Sequence, residues 1–310
     1  GDATLDHELG RLSSMLSSYN PELRTKVLAK ITDESHPSED IHYLLVAGRI
    51  PVARNSQQRE AIARALVNIE PKLAARNMHQ DNNWNDRIRE MYLQLVELDK
   101  ELPAAMIEQP AFGHPGHMVY MNGLSVEELP RAVERLIAGT KAHEDYAWNN
   151  DVVFAIANVM NDDTRAYLRH LYDEQLSLRD AIVMSLAKQP QEQDRAMFRT
   201  GLDSPQFEVI KSSLVALSQL PADSSADEVV PLVRLLRRLQ GNEQDFRLRE
   251  HVVRLLRQDT QQDFAFVFGK SGYVPQPGIV EKWTSWASAA FPDRKDDLIG
   301  GHGEDLAALK

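Results

Sequence analysis

The chain has 310 residues, of which 43% are hydrophobic, 26% charged and 7% aromatic, and its formal net charge is −11. That is apolar material enough for a large core or a stacked array, and the acidic balance disfavours non-specific binding to nucleic-acid phosphates. It contains no cysteine; disulfides, thiolate zinc sites, iron–sulfur clusters and a covalent c-type haem motif are therefore excluded within it.

In chain order, Gly1-Asp2-Ala3-Thr4 has neither a basic region nor an apolar run, so no signal peptide is read there. Asn20-Pro21 predicts a helix start, because Asn caps free N–H groups and Pro fits the first helical position. Leu23, Val27 and Ile31 continue one face until His36-Pro37 breaks it. A helix from Ile41 stops before Pro51, and another runs from Ser56 to Ile69. Asn83 to Leu102 predicts a helix with Ile88, Met91, Tyr92, Leu95 and Leu98 inward. Glu108 to Gly123 has no helical period and is punctuated by Pro110, Gly113, Pro115 and Gly116. Ser125 and Glu128 form a capping box for the next helix, and Trp148 to Met160 follows as another. Val152–Ala157, the longest apolar stretch, is far too short to cross a bilayer.

A repeat then organises the chain. Leu178-Arg179-Asp180-Ala181-Ile182 is echoed by Val209-Ile210-Lys211-Ser212-Ser213-Leu214 and again by Leu248-Arg249-Glu250-His251-Val252-Val253. The spacings, about 31 and about 39 residues, are those of helical-hairpin repeats. Helix pairs are expected at 162–189, 192–220 and 225–258, with Ser204-Pro205 and Ser225-Ala226-Asp227-Glu228 starting helices as the earlier capping box does. After Asp259 the pattern breaks. Phe264, Phe266 and Phe268 predict a short extended segment, then a last helix holds Trp283 and Trp286. The expected fold is all-α: an α/α superhelix, a HEAT-like or armadillo-type solenoid of helix pairs. Its parts are an N-terminal helical part at 1–123, regular pairs at 124–260, and a capping segment and helix at 261–310. Residues 303–310 read as a helix cut partway, as in a domain excised from a longer protein.

Few residues suggest chemistry. His114 and His117 form the only closely spaced histidine pair, but Pro115 and Gly116 preclude the helical spacing of a zincin and no HExxH glutamate follows. They are read as loop histidines bonding backbone groups. Asp162-Asp163 and Asp296-Asp297 sit where helices start or end, where capping and solvation explain them. No nucleophile elbow, Walker loop or dinucleotide fingerprint occurs. Arg234, Arg237, Arg238, Arg247, Arg249, Arg254 and Arg257 concentrate positive charge in an acidic chain, with Glu243, Asp245 and Glu250 beside them. They are the candidate interaction surface, and Phe264, Phe266 and Phe268 would either supply its apolar contact or cap the array.

Three stretches also resemble one family. Tyr19-Asn20-Pro21-Glu22-Leu23-Arg24-Thr25-Lys26-Val27, Asn83-Trp84-Asn85-Asp86-Arg87, and Trp283-Thr284-Ser285-Trp286 followed by Phe291-Pro292 are similar to the HEAT-like region of large planctomycete-type haem-binding proteins. The resemblance covers about Tyr19 to Lys310. It implies a bacterial, extracytoplasmic spacer between a propeller-like dehydrogenase-type domain and a C-terminal c-type cytochrome domain. The haem-attachment residues are missing, so no haem role carries over. The expectation is a non-catalytic scaffold without cofactor, whose partners are neighbouring domains or another protein rather than nucleic acid or a membrane. Two rival readings are a metal-dependent hydrolase centred on His114 and His117, and a nucleic-acid-binding solenoid using the Arg234–Arg257 region.

Overall fold

The computed structural model describes residues 8, 9, 12, 19–121, 123–142, 146–241, 245–269 and 273–299. The reading of 303–310 and Glu243 fall outside them. The described residues form helices and no strand. The chain divides into two compact units, 1–164 and 165–310. The irregular stretch 108–123 therefore lies inside the first unit rather than at a boundary.

The first unit holds α1 (Pro21–Leu28), α2 (Pro37–Gly48), α3 (Ser56–Ala75), α4 (Trp84–Leu98), α5 (Leu102–Ile107), α6 (Met118–Met121), α7 (Leu129–Ala142) and α8 (Asn150–Ala157). Their starts are written locally. The Asn20 side chain accepts from the Glu22 N–H at 2.9 Å, and Asn55 and Gln58 form a reciprocal capping box. Ser125 and Glu128 do the same ahead of α7. His36-Pro37 is a start as well as a break, since the His36 ring caps α2.

Helix α3 continues past Ile69 and through Pro71. A proline inside a helix leaves the carbonyl four residues back without its N–H partner. Here that carbonyl belongs to Val67, and the His117 ring meets it at 2.9 Å, while the Tyr120 hydroxyl donates to Leu66 O at 3.0 Å. The loop after α5 thus repairs the helix. Helix α4 stops at Leu98 because Asp99 turns extended, and Leu98 itself is exposed.

The second unit takes most of α9 (Asp162–Glu174), then α10 (Arg179–Leu186), α11 (Arg195–Gly201), α12 (Phe207–Gln219), α13 (Ala226–Arg238), α14 (Phe246–Thr260), α15 (Pro277–Ala290) and α16 (Lys295–Ile299). The repeated segments Leu178–Ile182, Val209–Leu214 and Leu248–Val253 fall on the second helix of each pair, and Leu178, Val209 and Leu248 are all buried. Gly201 sits where α11 meets α12; a Cβ there would lie 2.3 Å from Ser213 Oγ.

In each unit, alternate helices pack on one another in two rows. In the first unit α1, α3, α5 and α7 pack in succession, and so do α2, α4, α6 and α8. In the second, α10, α12 and α14 form one row, and α11, α13 and α15 the other.

Arginines tie successive hairpins together. Arg24 of α1 is fully buried and donates to the carbonyls of Ile50, Val52 and Ala53, ahead of α3. Arg59 of α3 bonds Asp99, ahead of α5. Arg165 and Arg169 of α9 both bond Asp194, ahead of α11. Arg195 of α11 donates to Pro221 O, and Arg199 bonds Asp223 and Glu228. Glu228 is fully buried among these arginines, so it does not complete the capping box that Ser225 suggests. An arginine suits this task because its planar fork serves several acceptors at once.

Candidate interaction surface

Helix α14 buries Leu248, Val252, Val253, Leu255 and Leu256, which leaves Arg247 and Arg254 exposed on the opposite arc. The C-cap Gln261 adopts φ 59° and turns the chain back. Ala265 at φ 60° prevents Phe264–Phe268 from forming the extended segment that its alternation suggests. Tertiary bonds hold the segment instead. Val267 exchanges both its backbone groups with the Gln276 amide at 2.9 Å, and the Gly269 N–H donates to Glu250.

The three phenylalanines take different roles. Phe264 stands edge-on to the buried Trp283, 4.7 Å between ring centres, and Phe266 is buried. Two guanidiniums stand over the Phe268 ring, Arg254 4.9 Å and Arg257 4.8 Å from its centre. Stacking on an aromatic face holds such cations in place without neutralising them. An open groove of about 780 Å³ adjoins this segment, lined by Phe264, Asp263, Glu281, Lys282 and Ser285 among others.

The arginine cluster divides. Arg249 is fully buried, donating to Leu239 O and Tyr273 O at 2.9 Å, so it belongs to the interior and not to a surface. Its position one residue after Leu248 puts it on the inward stripe. Arg234 pairs with Asp203, Arg238 donates to Leu202 O, and Arg237 donates to Leu298 O. Burial lowers the Arg238 guanidinium below its usual range. These residues join elements within the unit. Arg247, Arg254 and Arg257 remain; Arg254 lies 3.8 Å from the Glu250 carboxylate, and Arg257 is bonded to Asp263 at 2.5 Å.

The histidine pair lies elsewhere and is closed. His117 is fully buried, its Nδ1 accepts from the Gly113 and His114 N–H groups, and its Nε2 faces Val67 O. That arrangement leaves no lone pair for a metal. Burial pushes its pKa down to about 3, which keeps the ring neutral. His114 Nδ1 accepts from the Gly116 N–H. Among the described residues no cluster of three or more metal-ligating side chains occurs. Asp162 and Asp163 open α9 exposed, and Asp297 pairs with Arg294.

One titratable residue gives no signal in the sequence. Asp259, in the last turn of α14, is buried and accepts from the Asp223 N–H at 3.3 Å. Burial pushes its carboxyl up to about 7; the Asp223 N–H and Arg195 oppose this and Glu228 adds to it. The folded chain therefore holds a proton that the unfolded chain releases, so stability falls as pH rises from about 4 to about 7 and stays lower above. Asp259→Asn should remove that loss. We expect it to stabilise the protein by about 1–2 kcal/mol at pH 8 and by almost nothing near pH 4, in urea melts. Equal effects at both values would show a solvated carboxylate.

Compared with protein-family models, curated proteins and solved structures, the chain gives no match.

Proposed function

We propose that this chain is a non-catalytic helical-repeat scaffold, a HEAT-like α/α superhelix that holds an acidic protein surface at its C-terminal segment. The observation that supports it is the packing of alternate helices in rows, α1, α3, α5 and α7 with α2, α4, α6 and α8 in the first unit, α10, α12 and α14 with α11, α13 and α15 in the second, with arginine clamps from hairpin to hairpin. In such a stack each repeat buries its face on its neighbours, and the remaining faces are free to hold other proteins. The docking element is the Arg254–Phe268–Arg257 stack with exposed Val267 beside it. In a longer parent chain the partner is an adjoining domain, in keeping with the resemblance to spacers before a c-type cytochrome domain. No helix among the described residues is long and apolar enough to cross a membrane.

The test is calorimetric titration with such a cytochrome domain supplied separately, at low and high salt. Binding should weaken with salt and fall about tenfold or more in Arg254→Glu/Arg257→Glu, since single exposed charge pairs contribute little and several must act together. Unchanged affinity in the double variant would leave these arginines as a solvated face.

A further inference from the structure

The last turn of α14 faces two ways. Asp259 is buried beneath the linker at 220–225, where its Oδ1 accepts the Asp223 N–H at 3.3 Å. Its Oδ2 has no hydrogen-bond partner, and no ion pair reaches this carboxyl, among the described residues. Arg257, in the same turn, instead pairs with Asp263 and stands over the Phe268 ring. The turn therefore joins the interior of the unit to the segment at 261–269.

The groups around Asp259 leave it without a counter-charge. Asp223 of the linker and Glu228 of α13 are acids, and the nearby cations, Arg195 and Arg199 of α11, are already engaged. Arg195 meets Glu192 and Glu228, and Arg199 meets Asp223 and Glu228. The last two turns of α12 carry no charged side chain. Once ionised, Asp259 adds a further acid to two arginines already shared among three. A negative charge in the last turn of a helix also opposes the helix dipole. Such a carboxylate is stabilised by reaching water, and at a helix end that takes the unwinding of one turn.

The backbone beyond the turn is strained in the same direction. Gln261 at φ 59° and Ala265 at φ 60° are two of the three non-glycine residues with positive φ among the described residues, a conformation that residues with a side chain rarely adopt. Unwinding relieves both. We propose that Asp259 is a proton-operated latch: with its carboxyl protonated the last turn of α14 stays seated on the linker at 220–225, and on ionisation the turn unwinds more readily and loosens the segment at 261–269. Burial pushes this carboxyl up to about 7, so the latch works near neutral pH. The segment carries Phe268, so control of docking by the latch rests on the function proposed above; the latch itself does not.

Hydrogen exchange of the whole chain, without a partner, tests it. The N–H groups of Gln261, Val267 and Gly269 are bonded when the turn is seated, to Arg257 O, Gln276 and Glu250. The seated form holds a proton that the unwound form releases, so rising pH favours unwinding. Protection of these groups, corrected for the intrinsic pH dependence of exchange, should fall about tenfold per unit from pH 5 to pH 7 and level off above. Asp259→Asn should keep its protection constant over that range, with circular dichroism to check that it folds. Equal protection at pH 5 and pH 8 in the wild type overturns the proposal, and that profile alone decides it if the variant does not fold. A loss of protection spread equally over α10 to α13 overturns it too, since that is a change in global stability. Because no partner is present, either failure is distinct from a failure of docking.

Discussion

Asp194→Ala should destabilise the second unit by about 3–5 kcal/mol, the range for removing one partner of a buried ion pair. The Asp194 carboxylate is fully buried and accepts from both Arg165 and Arg169, the latter at 2.6 Å. Arg165 is itself buried, and its remaining bond is to Gln189 O at 2.6 Å. Without Asp194, the Arg165 cation stays in the interior with a carbonyl dipole but no counter-charge. The cost is that of the stranded charge, not of the attraction alone. Asp194→Leu combined with Arg165→Met should therefore recover most of the loss, since both buried charges are then gone and Arg169, 23% exposed, still donates to Gln191 and Gln193. Urea melts of the single and double variants measure both numbers. A single-variant loss under about 1 kcal/mol would mean that water reaches Arg165, because solvated pairs are worth no more than that.

Leu217→Ala should cost about 2–5 kcal/mol, as for other buried leucines whose removal leaves a cavity. Leu217 is 1% exposed on α12, a helix that touches α10, α11 and α14. Helices on three sides cannot all close on the void, so little of the lost contact is regained. Val215→Ala, two residues earlier on the open arc, should stay within about 0.5 kcal/mol, the range for surface changes. Similar losses at both positions would undo the assignment of inward and outward faces on this helix.

Much of the local structure is legible in particular residues. Asn20-Pro21 starts α1, Ser125 and Glu128 cap α7, and the recurring segment from Leu178 onward marks α10, α12 and α14. These readings work because a cap needs partners only two or three residues away and a helix face repeats every 3.6 residues. The candidate surface was legible only as charge. Arg249 and Arg254 look alike in the sequence, five residues apart on one helix, yet one is fully buried and the other exposed.

The sequence by itself determined that the chain is helical, where most helices begin, and which faces of them are apolar, since all of these depend on near neighbours along the chain. The tertiary structure alone decided the rest. It turned Glu228 away from its cap toward Arg195 and Arg199, set His117 against the carbonyl that Pro71 leaves free, and placed Asp259 under Asp223. In each case the partners lie tens of residues apart. A buried polar group must find its partner wherever the packed helices bring one within hydrogen-bond distance, and that position is a property of the stack, not of any segment within it.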